Sequence, residues 1–133
     1  TARMDALAQG DERVGWVESR MMEGALTFLS DIMKVGSITR QILEGNKNDW
    51  EGKRRKFQSE VNAYNAQGWE RRRNGDDSED LIRKAFDSLT FMYRYDGAVQ
   101  LVQKLIAECD LQKPDKQLVN RSAFKIFSEI KDV

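Results

Sequence analysis

Apolar residues recur at three- and four-residue spacing along almost the whole of this chain, and no other feature constrains its fold so tightly. That spacing lines up side chains on one face of an α-helix, whereas a half-buried strand needs strict alternation. Sustained β-branched alternation occurs nowhere, and the chain holds a single proline, Pro114. An all-α fold follows. At 133 residues the chain is long enough for one helical domain, residues 1–133, with a real core.

The pattern predicts where the helices run. Val14, Val17, Met21, Met22, Ala25, Leu26, Phe28, Leu29, Ile32 and Met33 cover about half the circumference of a helix over residues 11–35, at about 100° per residue. A face that wide touches more than one neighbour, so this N-terminal helix is expected at the centre of the bundle. Gly36 and Ser37 supply a stop and a fresh N-cap. A short helix carrying Ile38, Ile42 and Leu43 then ends at Gly45. Asn48 or Asp49 caps the next helix, whose narrow stripe of Trp50, Phe57, Val61 and Tyr64 ends at Gly68. Residues 69–77 have no periodicity and contain Asn74-Gly75, so they read as a mobile loop. Leu81 to Tyr93 make one helix and Ala98 to Cys109 another, with Asp96-Gly97 as the break that folds the two into an antiparallel hairpin. Pro114 opens a final helix with Leu118, Val119, Ala123, Ile126, Phe127 and Ile130 on its apolar face. The expected architecture is a bundle of five to six helices around the long N-terminal one, with no internal repeat.

Several functional classes are disfavoured by composition. Histidine is absent, which removes the commonest general base and most zinc sites. Gly10, Gly15, Gly24 and Gly36 never form a phosphate-cradling fingerprint. Paired carboxylates occur only as Asp76/Glu79 and Asp77/Asp80, which are placed to cap a helix start and have no matching acidic pair elsewhere. The chain therefore reads as non-enzymatic, with no metal, no cofactor and no small-molecule substrate. Its lone cysteine, Cys109, reads as a small buried hydrophobe in a reducing compartment. With no leader and no apolar run long enough for a bilayer, a soluble, cytoplasmic protein without membrane contact is expected. A first residue of Thr1 is consistent with a domain excised from, or processed out of, a longer chain.

Charge is sorted along the sequence. Residues 47–73 hold eight Lys/Arg against Asp49, Glu51, Glu60 and Glu70, in a chain whose net charge is zero. Interleaved with Trp50, Phe57, Tyr64 and Trp69, these cations have the composition of a polyanion-binding face. On a helix, however, Lys53, Arg54, Arg55 and Lys56 point in four directions. Asp49 with Lys53, Glu51 with Arg55 and Lys56 with Glu60 fall at the spacing of surface ion pairs, leaving Arg54 without one. Arg71, Arg72 and Arg73, read as loop residues beside Trp69, have three readings: clamping phosphates, meeting an acidic partner protein, or neutralising the acids at Asp76 to Asp80.

Three further features bear on binding. Gly15 and Gly24 inside the first helix need a compensating close approach, Met21, Met22 and Met33 suit a core or an adaptable groove, and Trp16 points away from the apolar face as an exposed anchor unless the segment from Met4 to Leu7 covers it. The expected function is protein association, with itself or a partner, through Trp16, Trp69 and Arg71 to Arg73. The alternative is nucleic-acid binding through the basic aromatic surface of residues 47–73.

Overall fold

The computed structural model describes residues 12–34, 38–109 and 116–131. Gly36, Ser37, Pro114 and the segment from Met4 to Leu7, together with the side chains of Val14, Leu118, Ile126, Phe127 and Ile130, lie outside the described residues. All regular structure among the described residues is α-helical: α1 (Glu12–Lys34), α2 (Arg40–Arg73), α3 (Glu79–Glu108) and α4 (Lys116–Lys131). The all-α expectation holds, but the described residues form four helices and not five or six.

The difference arises where glycines were read as breaks. α2 runs unbroken through Gly45, Asn48, Asp49 and Gly68, and its N-cap is Thr39, whose hydroxyl accepts from the Ile42 amide at 3.2 Å. A mid-helix glycine costs only about 1 kcal/mol. Leu43 is fully buried on one side of Gly45, and on the other Trp50 packs edge-on against Phe28 at 4.5 Å, so tertiary contact holds both flanking turns in place. α3 likewise runs through Asp96 and Gly97 without a break. Gly97 serves close packing and not a break: the backbone of α1 at Met21 passes where a side chain would stand, and Gly24 meets the backbone of Arg94 in the same way. The two glycines mark a crossing of helices.

That crossing also relocates the centre of the bundle. The backbone of α3, not that of α1, comes close to all three other helices, while α1 runs close to α3 and α4 and meets α2 through side chains such as the Phe28–Trp50 ring pair. The pairs Phe57 with Phe91, Glu60 with Ser88 and Arg71 with Asp80 step in opposite directions, making α2 and α3 a long antiparallel hairpin. α4 closes one end, where the Cys109 thiol donates to the Ser122 hydroxyl at 3.4 Å and Lys125 pairs with Glu108 at 3.2 Å. The core sits at that end: Phe28, Leu43, Leu101, Val102 and Leu105 are fully buried, with Ala25, Ile32, Ala98, Val119 and Ala123 around them. Toward the hairpin tip the buried residues thin to the seam between α2 and α3, formed by Val61, Gly68, Leu81, Ala85, Ser88 and Met92.

Candidate functional site

The hairpin tip is built by local chemistry. α2 continues through the expected loop to Arg73, and only residues 74–78 form the turn. Asp76 N–H donates to the Arg71 carbonyl at 2.8 Å and Gly75 N–H to that of Arg72 at 3.1 Å, which closes the helix end in a Schellman motif. Gly75 takes a φ of 77°, in the left-handed region that the motif requires. Ser78 is the N-cap of α3, and Asp77 Oδ1 accepts from the Glu79 amide at 3.0 Å.

Placing Arg71, Arg72 and Arg73 on a helix sends them about 100° apart, so they do not converge. Arg71 bonds Asp80 at 2.6 Å and the Asp77 carbonyl at 3.4 Å, Arg72 lies over the Trp69 ring at 5.5 Å, and Arg73 is exposed. The acidic cluster therefore takes one arginine of the three. Along the body of α2, Lys53 pairs with Asp49 at 3.5 Å and lies over Tyr95 at 5.7 Å, and Lys56 lies over Phe57. Glu60 accepts a hydrogen bond from Ser88, and Arg55 is exposed to solvent. Arg54, left without a partner by helical spacing, faces Asp96 across the hairpin. Burial pushes the Asp96 carboxyl above its ordinary value, and the Arg54 charge draws it partly back.

Trp16 is not an exposed anchor. Its ring lies 5.1 Å from Phe86 and 5.8 Å from Tyr93, with Arg20 above it at 5.8 Å. A helical wheel assigns one buried direction to a whole helix; where two helices cross, the contact line moves round each of them, and Trp16 falls on that moved line.

Other apolar side chains at this end are exposed, and Phe86 keeps half its surface in solvent despite its contact with Trp16. Trp69 is 63% exposed, Ile82 49% and Phe86 52%. Trp69 and Ile82 border a shallow concavity of about 160 Å³ with Tyr64, Gly68, Arg72 and Ser78, and Phe86 stands one turn further along α3 from Ile82. In the sequence, Ile82 and Phe86 stand among the apolar residues that define this helix, since both keep helical spacing with Leu89 and Tyr93. The signal against them was the second stripe of Leu81, Ala85, Ser88 and Met92 on the same helix: two helices alone cannot bury both.

Among the described residues, no group of three or more Cys, Asp or Glu side chains is placed to hold a metal ion, and no helix is long and apolar enough to cross a membrane. No family model matches the chain, and neither a curated protein nor a solved structure matches it significantly.

Proposed function

We propose that this chain is a non-enzymatic assembly protein whose α2–α3 hairpin end docks onto another protein or onto a second copy of itself. The observation that carries this reading is the grouping of Trp69 and Ile82 on the rim of one concavity, with Phe86 next to them. Tryptophan flanked by arginine and a hydrophobic rim is the composition that dominates binding energy at protein interfaces. Arg72, stacked on Trp69, is held ready for an acidic group on the partner. The same reading takes residues 1–133 as one domain working in the cytoplasm without metal or cofactor, and a free, buried Cys109 suits a reducing compartment.

Replacing Trp69 by a photo-crosslinking phenylalanine derivative tests it. The expected result is covalent adducts, to the purified chain itself or to a protein of its native extract, from position 69 and not from the exposed control position Gln103 on α3. Equal labelling from both positions defeats the proposal.

A second reading, nucleic-acid binding, is favoured by one observation. Arg55 and Arg73 are separated by a whole number of helical turns, so both project from the same outer face of α2, and both are exposed. Fluorescence anisotropy of single-stranded RNA and duplex DNA discriminates the two. Binding that falls steeply with salt and is lost in Arg55→Ala/Arg73→Ala supports nucleic acid, and no binding at low salt removes it.

A further inference from the structure

A second hollow, separate from the hairpin end, opens between α1, α2 and α3 with a volume of about 280 Å³. It lies beside the glycine crossing, with Gly24 and Ala98 in its buried lining. Its walls are aromatic and already oriented. Phe57 stacks against both Phe91 at 5.3 Å and Tyr95 at 5.7 Å, and Trp50 is held edge-on by Phe28. A flat ring entering between such walls loses little of their freedom, which is the condition for tight packing.

Two cations reach the hollow from different helices. Lys53 of α2 lies over Tyr95, and Arg94 of α3 lies over Phe91 at 5.9 Å. Their present partners hold them weakly. Lys53 to Asp49 is 3.5 Å and Arg94 to Glu23 is 3.8 Å, and every group in the two pairs is at least a third exposed, so solvent screens both pairs. Among the described residues, Asp31, from α1, is the one carboxylate lining the hollow beside Lys53 and Arg94, so that lining carries a single excess positive charge.

We infer that this hollow binds a small aromatic carboxylate: a single ring carrying one negative charge. The ring packs against Trp50, Phe91 and Tyr95, and the carboxylate takes hydrogen bonds from Lys53 and Arg94 in place of their exposed partners. Asp31 limits the ligand to one anionic group, because a second would face it. The volume sits at the lower end for ligand sites and admits about ten heavy atoms.

Saturation-transfer NMR on the full chain tests this with benzoate, benzyl alcohol and benzylamine, each at about 1 mM. Benzoate is expected to receive the strongest transfer, and Lys53→Met or Arg94→Met to weaken it by about threefold to tenfold. Lys84→Ala, exposed near the hairpin tip on α3, leaves it unchanged. Asp31→Asn is expected to tighten benzoate binding, a gain that damage to the fold does not produce. Equal transfer to all three compounds, no transfer to benzoate at about 10 mM, or an affinity unmoved by Lys53→Met, Arg94→Met and Asp31→Asn alike overturns the inference.

Discussion

Among single residues, the glycines separate most sharply by role. Gly24 and Gly97 stand where a Cβ would meet the backbone of the opposite helix, so Ala at either position forces α1 and α3 apart. Overpacking of this kind costs about 1–3 kcal/mol, more than the roughly 1 kcal/mol of helix propensity gained. Gly45 and Gly52 have open space around them on the same kind of helix. Gly45→Ala and Gly52→Ala should each stabilise the chain by about 0.5–1 kcal/mol, measured by urea unfolding beside Gly24→Ala and Gly97→Ala. The sequence already indicated that Gly24 needed a close neighbour. It did not separate Gly97 from a helix break, because a glycine at a crossing and a glycine at a helix end look alike until the second helix is in place. Asp96 is the residue with a pH consequence. Its folded-state affinity for a proton is raised by burial, so ionising it opposes folding. Its contribution to stability is present below the ordinary Asp value and is lost as pH rises through the raised folded value. Asp96→Asn should therefore melt at a higher temperature than the parent near pH 7, with the difference closing on acidification to about pH 4.

At the level of the element, the α2–α3 turn is a self-contained device. Gly75 carries the left-handed residue of a Schellman motif, and Gly75→Ala should lower stability by about 1–2 kcal/mol without moving the ends of the hairpin, read by thermal melting and amide exchange at Asp76. The Arg71–Asp80 pair is short but exposed, so Asp80→Asn should cost only about 0.2–1 kcal/mol. Asn74-Gly75 was legible as a turn because left-handed glycine leaves a local signature. The helical state of residues 69–73 was not, since Trp69, Arg71, Arg72 and Arg73 show no apolar periodicity. They are helical because the motif closes on the carbonyls of Arg71 and Arg72 and because Gly68 is buried against Ser78 and Leu81, which continues the seam to the end of the helix. Reading the arginines as a loop made them converge, and a helix makes them diverge. The candidate site therefore changed from an arginine clamp to the exposed edge formed by Trp69 and Ile82.

Over the whole molecule, burial is uneven along the bundle. Phe28 and Leu101 are fully enclosed where four helices meet, and Phe28→Ala should cost about 3–5 kcal/mol by denaturant unfolding. Trp69→Ala, at the thin end, should change stability by no more than about 0.5 kcal/mol, read by urea unfolding, while weakening the proposed association, read by analytical ultracentrifugation or pull-down. That separation of stability from binding is what an exposed docking end predicts. Which residues belong to each end was decided by packing. Helical periodicity alone determined that the chain is all-α, that Phe28, Leu43, Leu101, Leu105 and Val119 face a core, and that Asn74-Gly75 turns it, because these depend on contacts within a few residues. The number of helices, the choice of α3 as the central one, the covering of Trp16 and the exposure of Ile82 and Phe86 belong to the tertiary structure. Each depends on where one helix crosses another, and that geometry lies in pairs of residues such as Gly24 and Arg94 or Met21 and Gly97, whose distance along the chain leaves no periodic trace.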